Sequence, residues 1–210
     1  INDIVPIANH LTEAGVVAVK ADSPYKTIEE LVAAAKEKGN LKASTNGNKA
    51  SNHTAAQLLA KSAGFKYKAI PYGGTADQLL ALRQGEVDFT CAKVADVAKL
   101  VKGDKPELRV LAVFNTKRDP ELPNVPTLGE KGLYPEWYGS ARALVAPKGT
   151  KPEVIQYYVE AFKKTMQDPA VIEAHKKAGM ALDFKDNKEL GDLIKAQDKF
   201  ARDVVNDLYK

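Results

Sequence analysis

Three short polar segments hold the side chains best suited to grip a small ligand. The first is Ser44-Thr45-Asn46-Gly47-Asn48-Lys49-Ala50-Ser51-Asn52-His53. Its small and amide residues let the backbone turn tightly. A helix opening at 51 would add unpaired N–H groups and the positive end of its dipole, a natural anion cradle. The same residues also fit an ordinary capped loop, with Ser51 as N-cap and Asn46-Gly47 as a turn. The second segment is Pro71-Tyr72-Gly73-Gly74-Thr75-Ala76. Here Gly73 and Gly74 permit close backbone approach or a positive φ, Thr75 can cap or donate, and Tyr72 offers a ring wall and a hydroxyl. The third, Asp88 to Lys93, ends an apolar run, Val87-Asp88-Phe89-Thr90-Cys91.

Catalytic templates fit poorly. The chain has no Gly-x-Ser-x-Gly elbow, no paired carboxylates in a shared motif, no GxGxxG and no phosphate loop. Cys91 is the only cysteine, which excludes an internal disulfide and a cysteine-rich zinc site, and it reads as a small buried hydrophobe rather than a nucleophile. His10, His53 and His175 form no metal-binding motif, so neither a metal nor a cofactor is expected. Loops without a reactive constellation favour binding over turnover. An enzyme using Cys91 or His53, and a ligand-sensing regulatory domain, stand as alternatives.

The elements that must position these loops alternate between strand-like and helical patterns, as in α/β architecture with a mainly parallel sheet. Strands are expected at 4–8, 15–20, 41–45, 67–71, 86–91 and 108–113. Helices are expected from the capping-box pattern of Thr27 and Glu30 to 38, and at 51–63, 75–84 and 93–102. All three polar segments then lie at carboxyl ends of strands, the edge where open α/β sheets bind ligands. A proline-rich connection at 118–126 must run over the surface. An extended run at 136–146 follows, then helix 151–167 with an apolar face of Val154, Ile155, Tyr158 and Phe162, and a last helix at about 187–208.

Length and composition agree with a soluble globular chain. Its 210 residues are enough for a proper core, and 44% hydrophobic with 28% charged residues is close to the globular average. No apolar run approaches the roughly 18 residues that span a bilayer. The net charge of +4 comes from lysines that look scattered along helices, among them Lys36, Lys61, Lys163, Lys164, Lys176 and Lys177. Without a basic stripe interleaved with aromatics, nucleic-acid binding is not expected, and a weak bias toward anionic ligands remains. The chain starts at Ile1 with neither an initiator Met nor a signal peptide, so a segment upstream is expected to have been removed.

In order and wording these segments resemble the tripartite tricarboxylate transporter solute-binding family, the Bug family of periplasmic receptors. The loop 44–53 is similar to the family's Ser-x-Gly-x-Gly-Ser-x-x-His loop. Ile70-Pro71-Tyr72-Gly73-Gly74-Thr75-Ala76 is similar to its Val-Pro-Tyr-(Lys)-Gly-Gly-x-x-Ala loop, and Gly85-Glu86-Val87-Asp88 to its Gly-Gln-Val-Asp strand entry. Leu111-Ala112-Val113, Lys117-Arg118 and Leu122-Pro123-Asn124-Val125-Pro126-Thr127 follow in the family's order, and the run from Arg142 to Pro147-Lys148-Gly149-Thr150 resembles its return segment. The chain departs from the pattern at Ala92-Lys93, where many members have Asp-Asn, and at Ala141 and Ala143, where Trp and Gly usually flank the arginine.

The resemblance implies a type II periplasmic-binding-protein fold, with two α/β lobes and a ligand cleft. Residues 16–138 would form one lobe, and 1–15 with 139–210 the remainder of the first, whose usual N-terminal βα segment has no match here. It also implies a non-enzymatic receptor in the periplasm that takes a small carboxylate to membrane permease subunits and is a monomer when complete. Ser44, Thr45, Asn46, Gly47, Asn48, Ser51, His53, Tyr72, Gly73, Gly74, Thr75, Lys93 and Arg142 are the expected ligand-binding residues, the backbone donors among them holding a carboxylate.

Overall fold

The apolar runs at 4–8 and 15–20 are one continuous strand, β1 (Ile4–Lys20), in the computed structural model, which describes residues 1–180 and 182–209. After β1 the chain alternates: α1 (Ile28–Lys38), β2 (Lys42–Thr45), α2 (Ser51–Ala63), β3 (Lys68–Pro71), α3 (Thr75–Gln84), β4 (Phe89–Lys93), a single turn α4 (Val94–Val97) and β5 (Leu108–Phe114). Then come β6 (Gly139–Pro147), α5 (Pro152–Met166), α6 (Pro169–Lys177), β7 (Leu182–Lys185) and α7 (Asn187–Phe200), which runs on through a π-helical turn at Ala201–Val205 into α8 (Asn206–Leu208).

Packing divides the chain into two units, Ala14–Ser140 and Ile1–Glu13 with Ala141–Lys210. In the first, the sheet order is β3-β2-β4-β1-β5. β2 is parallel to β3 and β4, whereas β1 is antiparallel to both β4 and β5. The expectation of a mainly parallel sheet therefore holds for four strands and fails for β1, which lies between β4 and β5. Alternation identifies the connections but not their direction: α1 returns the chain antiparallel to β1 instead of crossing the sheet to a parallel neighbour. Val16, Ala18, Ala92, Val110 and Val113 meet Leu79, Leu82 and Val97 in the core on one face, and Phe65 and Phe89 pack edge to face at 6.3 Å.

Other elements differ from expectation for local reasons. Strand 86–91 shifts to 89–93, because Gly85 takes the left-handed C-cap of α3, Glu86 N–H bonds Ala81 O and Asp88 N–H bonds Lys42 O. The helix expected at 93–102 stops after one turn, as Glu107 and Leu108 N–H both turn to Leu100 O. Helix α6, not foreseen, starts with Asp168 as N-cap and Pro169 at its first position, a standard opening.

In the second unit, β6 and β7 pair with β1. Ile7, Ala8, Ala146, Ile155 and Val159 form its core cluster. The expected apolar face of α5 is only partly buried: Ile155 is covered, while Val154 and Tyr158 are exposed. In the last helix Leu190 is the buried anchor, and Leu193, Ile194 and Phe200 are half-buried.

Candidate functional site

Strands β2, β3 and β4 point the same way and end at Thr45, Pro71 and Lys93, so the three polar segments share one edge of the first unit. Beyond β2 the chain folds back on the first turn of α2. Thr45 Oγ1 donates to Gly47 O (3.2 Å), and Asn46 Oδ1 accepts from Asn52 N (3.3 Å). Gly47 has φ 128°, a conformation that side chains strongly disfavour, and Lys49 is left-handed at φ 57°. The Lys49 N–H donates to His53 Nδ1 at 3.0 Å, so buried His53 carries its proton on Nε2, and burial lowers its pKa. Asn48 is exposed.

Two helices open at this edge without a side-chain cap. The N-cap of α2 is Ala50, with Ser51 at the first helical position, which corrects the reading of Ser51 as N-cap; the N-cap of α3 is Gly74. By contrast Thr27, Asp168 and Asp186 cap α1, α6 and α7 with their own side chains. Without a capping side chain the first-turn N–H groups of α3 point outward, whereas in α2 the Asn52 N–H is taken by Asn46 Oδ1 from the loop. Gly73 and Gly74 need no positive φ: Gly74 is fully extended (φ 175°, ψ −179°), and a Cβ on it would meet nothing within 4 Å. What Gly74 provides at the start of α3, beside Thr75, is open space, whereas a Cβ on Gly73 would touch Asp77 Oδ2 at 3.4 Å.

Beneath the loops runs a buried polar chain with one allowed direction. Cys91 O only accepts, so Gln78 must turn Nε2 to it (2.6 Å), and that same nitrogen donates to Thr90 Oγ1 (2.5 Å). Gln78 Oε1 then accepts from Asn52 Nδ2 (2.9 Å), which leaves Asn52 Oδ1 to accept from Lys93 Nζ (2.6 Å). Lys93 Nζ also donates to Ser51 Oγ (3.3 Å). Thr90 Oγ1 accepts from Ser44 Oγ (3.0 Å) and donates to Ser44 O (2.9 Å), which ties the chain to β2. The Lys93 ammonium thus sits at 4% exposure, behind the half-buried Ser51. Because Ser51 Oγ accepts from it, the hydroxyl proton of Ser51 must point elsewhere.

Asn52, Gln78, Thr90 and Tyr138 were not among the expected site residues. Tyr138 Oη donates to Ser51 O (3.1 Å), and its backbone bonds Gly15 and Phe114, so it clamps the opening of α2 to β1 and β5. For Gln78 a signal existed: an amide at the inward position of α3, in line with Leu82. Other expected residues have local partners. Tyr72 Oη donates to Glu86 (3.0 Å), and burial followed by this carboxylate raises its pKa. Arg142 lies in the second unit, where Nε (3.0 Å) and Nη2 (2.6 Å) bond Oε2 of buried Glu13. Cys91 is fully buried, and burial pushes its thiol up to about 12 despite the nearby Lys93 charge, so it is protonated at neutral pH. Among the described residues no cluster of His, Cys, Asp or Glu could hold a metal ion, and no helix is long and apolar enough to cross a membrane.

A profile of the Tripartite tricarboxylate transporter family receptor matches residues 1–208. The UPF0065 protein in the gbd 5' region of Cupriavidus necator is 38% identical over 152 residues, 72% of this chain and 45% of that protein. The chain spans about half the length of the curated relatives it matches. Among solved structures, a TctC solute binding protein from Polaromonas, without ligand, superposes with a TM-score of 0.83 at 28% identity, covering 98% of this chain and 70% of that one. The periplasmic binding protein BugD superposes at 0.80 with 25% identity, covering 95% and 69%. The ordered loop motifs, a mixed α/β fold shared with periplasmic binding proteins and the match along the sequence converge: the chain belongs to the tripartite tricarboxylate transporter receptor family, with Bug proteins among its relatives.

Proposed function

We propose that this chain acts as a periplasmic solute receptor, one that captures a small carboxylate and delivers it to the membrane permease subunits of a tripartite tricarboxylate-type transporter without converting it. One observation carries the reading: the Lys93 ammonium is held behind Ser51, at the edge where α2 and α3 open on N-cap residues, Ala50 and Gly74, that make no side-chain cap bond. A carboxylate placed there accepts from the Ser51 hydroxyl and backbone N–H and from backbone N–H groups at 74–76. Both helix dipoles and the Lys93 charge favour its negative charge. Asn46, Gly47, Asn48, Gly73, Gly74 and Thr75 line the approach.

Nothing at this edge is arranged for turnover: the Cys91 thiol is buried and protonated, and His53 Nδ1 is occupied by a backbone N–H. Membership of a transporter receptor family supports the same reading.

The test is a thermal-shift and calorimetry panel of mono-, di- and tricarboxylates against their amides and neutral sugars. A bound acid at a hundredfold excess over Kd stabilises by about 2.7 kcal/mol. Lys93→Met should weaken that acid by tenfold or more, about 1.4 kcal/mol. Stabilisation by neutral sugars alone, or carboxylate affinity indifferent to Lys93→Met, defeats the reading.

A further inference from the structure

The lysines that look scattered along the sequence are gathered by the fold. α1 and α2 end side by side at left-handed Gly39 and Gly64, and between their last turns lies a hollow of about 440 Å³ lined by Ala35, Lys36, Ala60, Lys61, Phe65 and Lys66. β2 and β3 begin just beyond these caps with Lys42 and Lys68, which are register partners on neighbouring strands, both exposed. Like charges directly opposite on adjacent strands destabilise a sheet.

Among the described residues none of these five lysines forms an ion pair, whereas Lys20, Lys102, Lys131, Lys177, Lys185, Lys195 and Lys199 each do. The acidic residues nearby in sequence or contact are Glu37 and Asp88, the latter bonded to Lys42 N–H. Local duties explain single members: Lys36 and Lys61 complement helix C-termini, and Lys68 guards an edge strand. Neither duty explains why Lys36, Lys61 and Lys66 together line an apolar-floored hollow, with Lys42 and Lys68 just beyond it. This end of the unit carries the amino ends of β2 and β3, opposite the loop edge, so occupancy here leaves the ligand edge open.

We propose that this hollow is a docking surface for an acidic peptide segment of a protein partner, one apolar side chain seated on Ala35, Ala60 and Phe65 and flanking carboxylates paired with Lys36, Lys61, Lys66, Lys42 and Lys68. The concave floor favours a protruding segment over a flat anionic bilayer. The probe is a short fluorescein-labelled glutamate-rich peptide with two central leucines, followed by anisotropy on the whole chain. Binding should weaken steeply with salt and fall at least tenfold in Lys36→Glu/Lys61→Glu/Lys66→Glu. It should persist in Lys163→Glu/Lys164→Glu/Lys176→Glu, which changes net charge equally in the other unit. If the first variant fails to fold by circular dichroism, Lys36→Gln/Lys66→Gln takes its place with the same expectation. Equal loss in both triple variants, no peptide binding, or binding to phosphatidylglycerol vesicles in preference to the peptide overturns the proposal.

Discussion

Gln78→Leu tests whether the buried polar chain positions the ligand edge or merely fills it. Gln78 is fully buried and makes three hydrogen bonds, at 2.9, 2.5 and 2.6 Å. Leucine keeps much of the volume but abandons Asn52 Nδ2 and Cys91 O without partners in the interior, while Thr90 Oγ1 retains its bonds to Ser44. Each abandoned group costs about 1–3 kcal/mol, partly offset because the amide itself no longer has to be desolvated, so a net loss of about 2–4 kcal/mol is expected. For a chain of this size that lowers Tm by roughly 5–15 °C. Asn52 also loses the contact that directs its oxygen to Lys93, so carboxylate affinity should fall about tenfold. Leu82→Ala, fully buried on the same helix, is the control: a cavity there costs about 2–5 kcal/mol but leaves the polar chain whole. Calorimetry at a temperature where both variants are folded separates the two roles. A Tm within a degree or two of the parent, or equal affinity loss in Leu82→Ala, would refute the reasoning.

Four further outcomes follow from the geometry. Gly74→Ala should leave stability within about 0.5 kcal/mol, since its backbone is extended and a Cβ meets nothing; Gly74→Val should weaken carboxylate binding without lowering Tm, and unchanged affinity would show the space is not used. Burial lowers the pKa of His53 below its ordinary 6.5, so the unfolded chain binds its proton first: this stability is complete above pH 6.5 and is lost as pH falls below it. Tm measured from pH 7 to 5 should therefore drop less in His53→Asn than in the parent. Arg142→Met removes the partner of Glu13, whose other oxygen, Oε1, is already buried without one among the described residues; about 1–3 kcal/mol should be lost and largely recovered in Arg142→Met/Glu13→Gln, as read by urea unfolding. Native Cys91 should resist iodoacetamide at pH 8 and react only with denaturant, and rapid labelling of the folded chain would contradict its burial.

Much of the fold was legible because local signals and tertiary packing agree. Helices 51–63 and 75–84 match to the residue, since each ends at a glycine in the left-handed cap, and Thr27 with Glu30 makes the capping box its pattern promised. Direction was not legible. The run Val16–Val19 is apolar on both faces, as any central strand must be, and reads the same in either orientation. Helix length failed at 93–102 because the competing hydrogen bonds to Leu100 O come from residues seven and eight positions later, beyond any helical period.

The site shows the same division. That three loops meet at one edge follows from strand-loop-helix order alone, and the structure places all three there. What lies beneath them could not be read, because Gln78, Asn52 and Lys93 sit on three different elements and acquire meaning only through contact. Each looks unremarkable alone: a helical amide, a loop amide, a lysine among thirty-one basic residues. Joined, they form a chain whose ends admit one orientation, a carbonyl that only accepts and an ammonium that only donates. Lys93 departs from the family's usual asparagine, yet its neighbours supply oxygens in the right places to hold a cation. A single substitution at 93 would therefore not revert the site to a neutral one: Lys93→Met leaves Asn52 Oδ1 and Ser51 Oγ without the ammonium that bonds them, and Asn52 cannot turn its amide round to compensate, because Gln78, held by Cys91 O, keeps Oε1 toward Asn52 Nδ2.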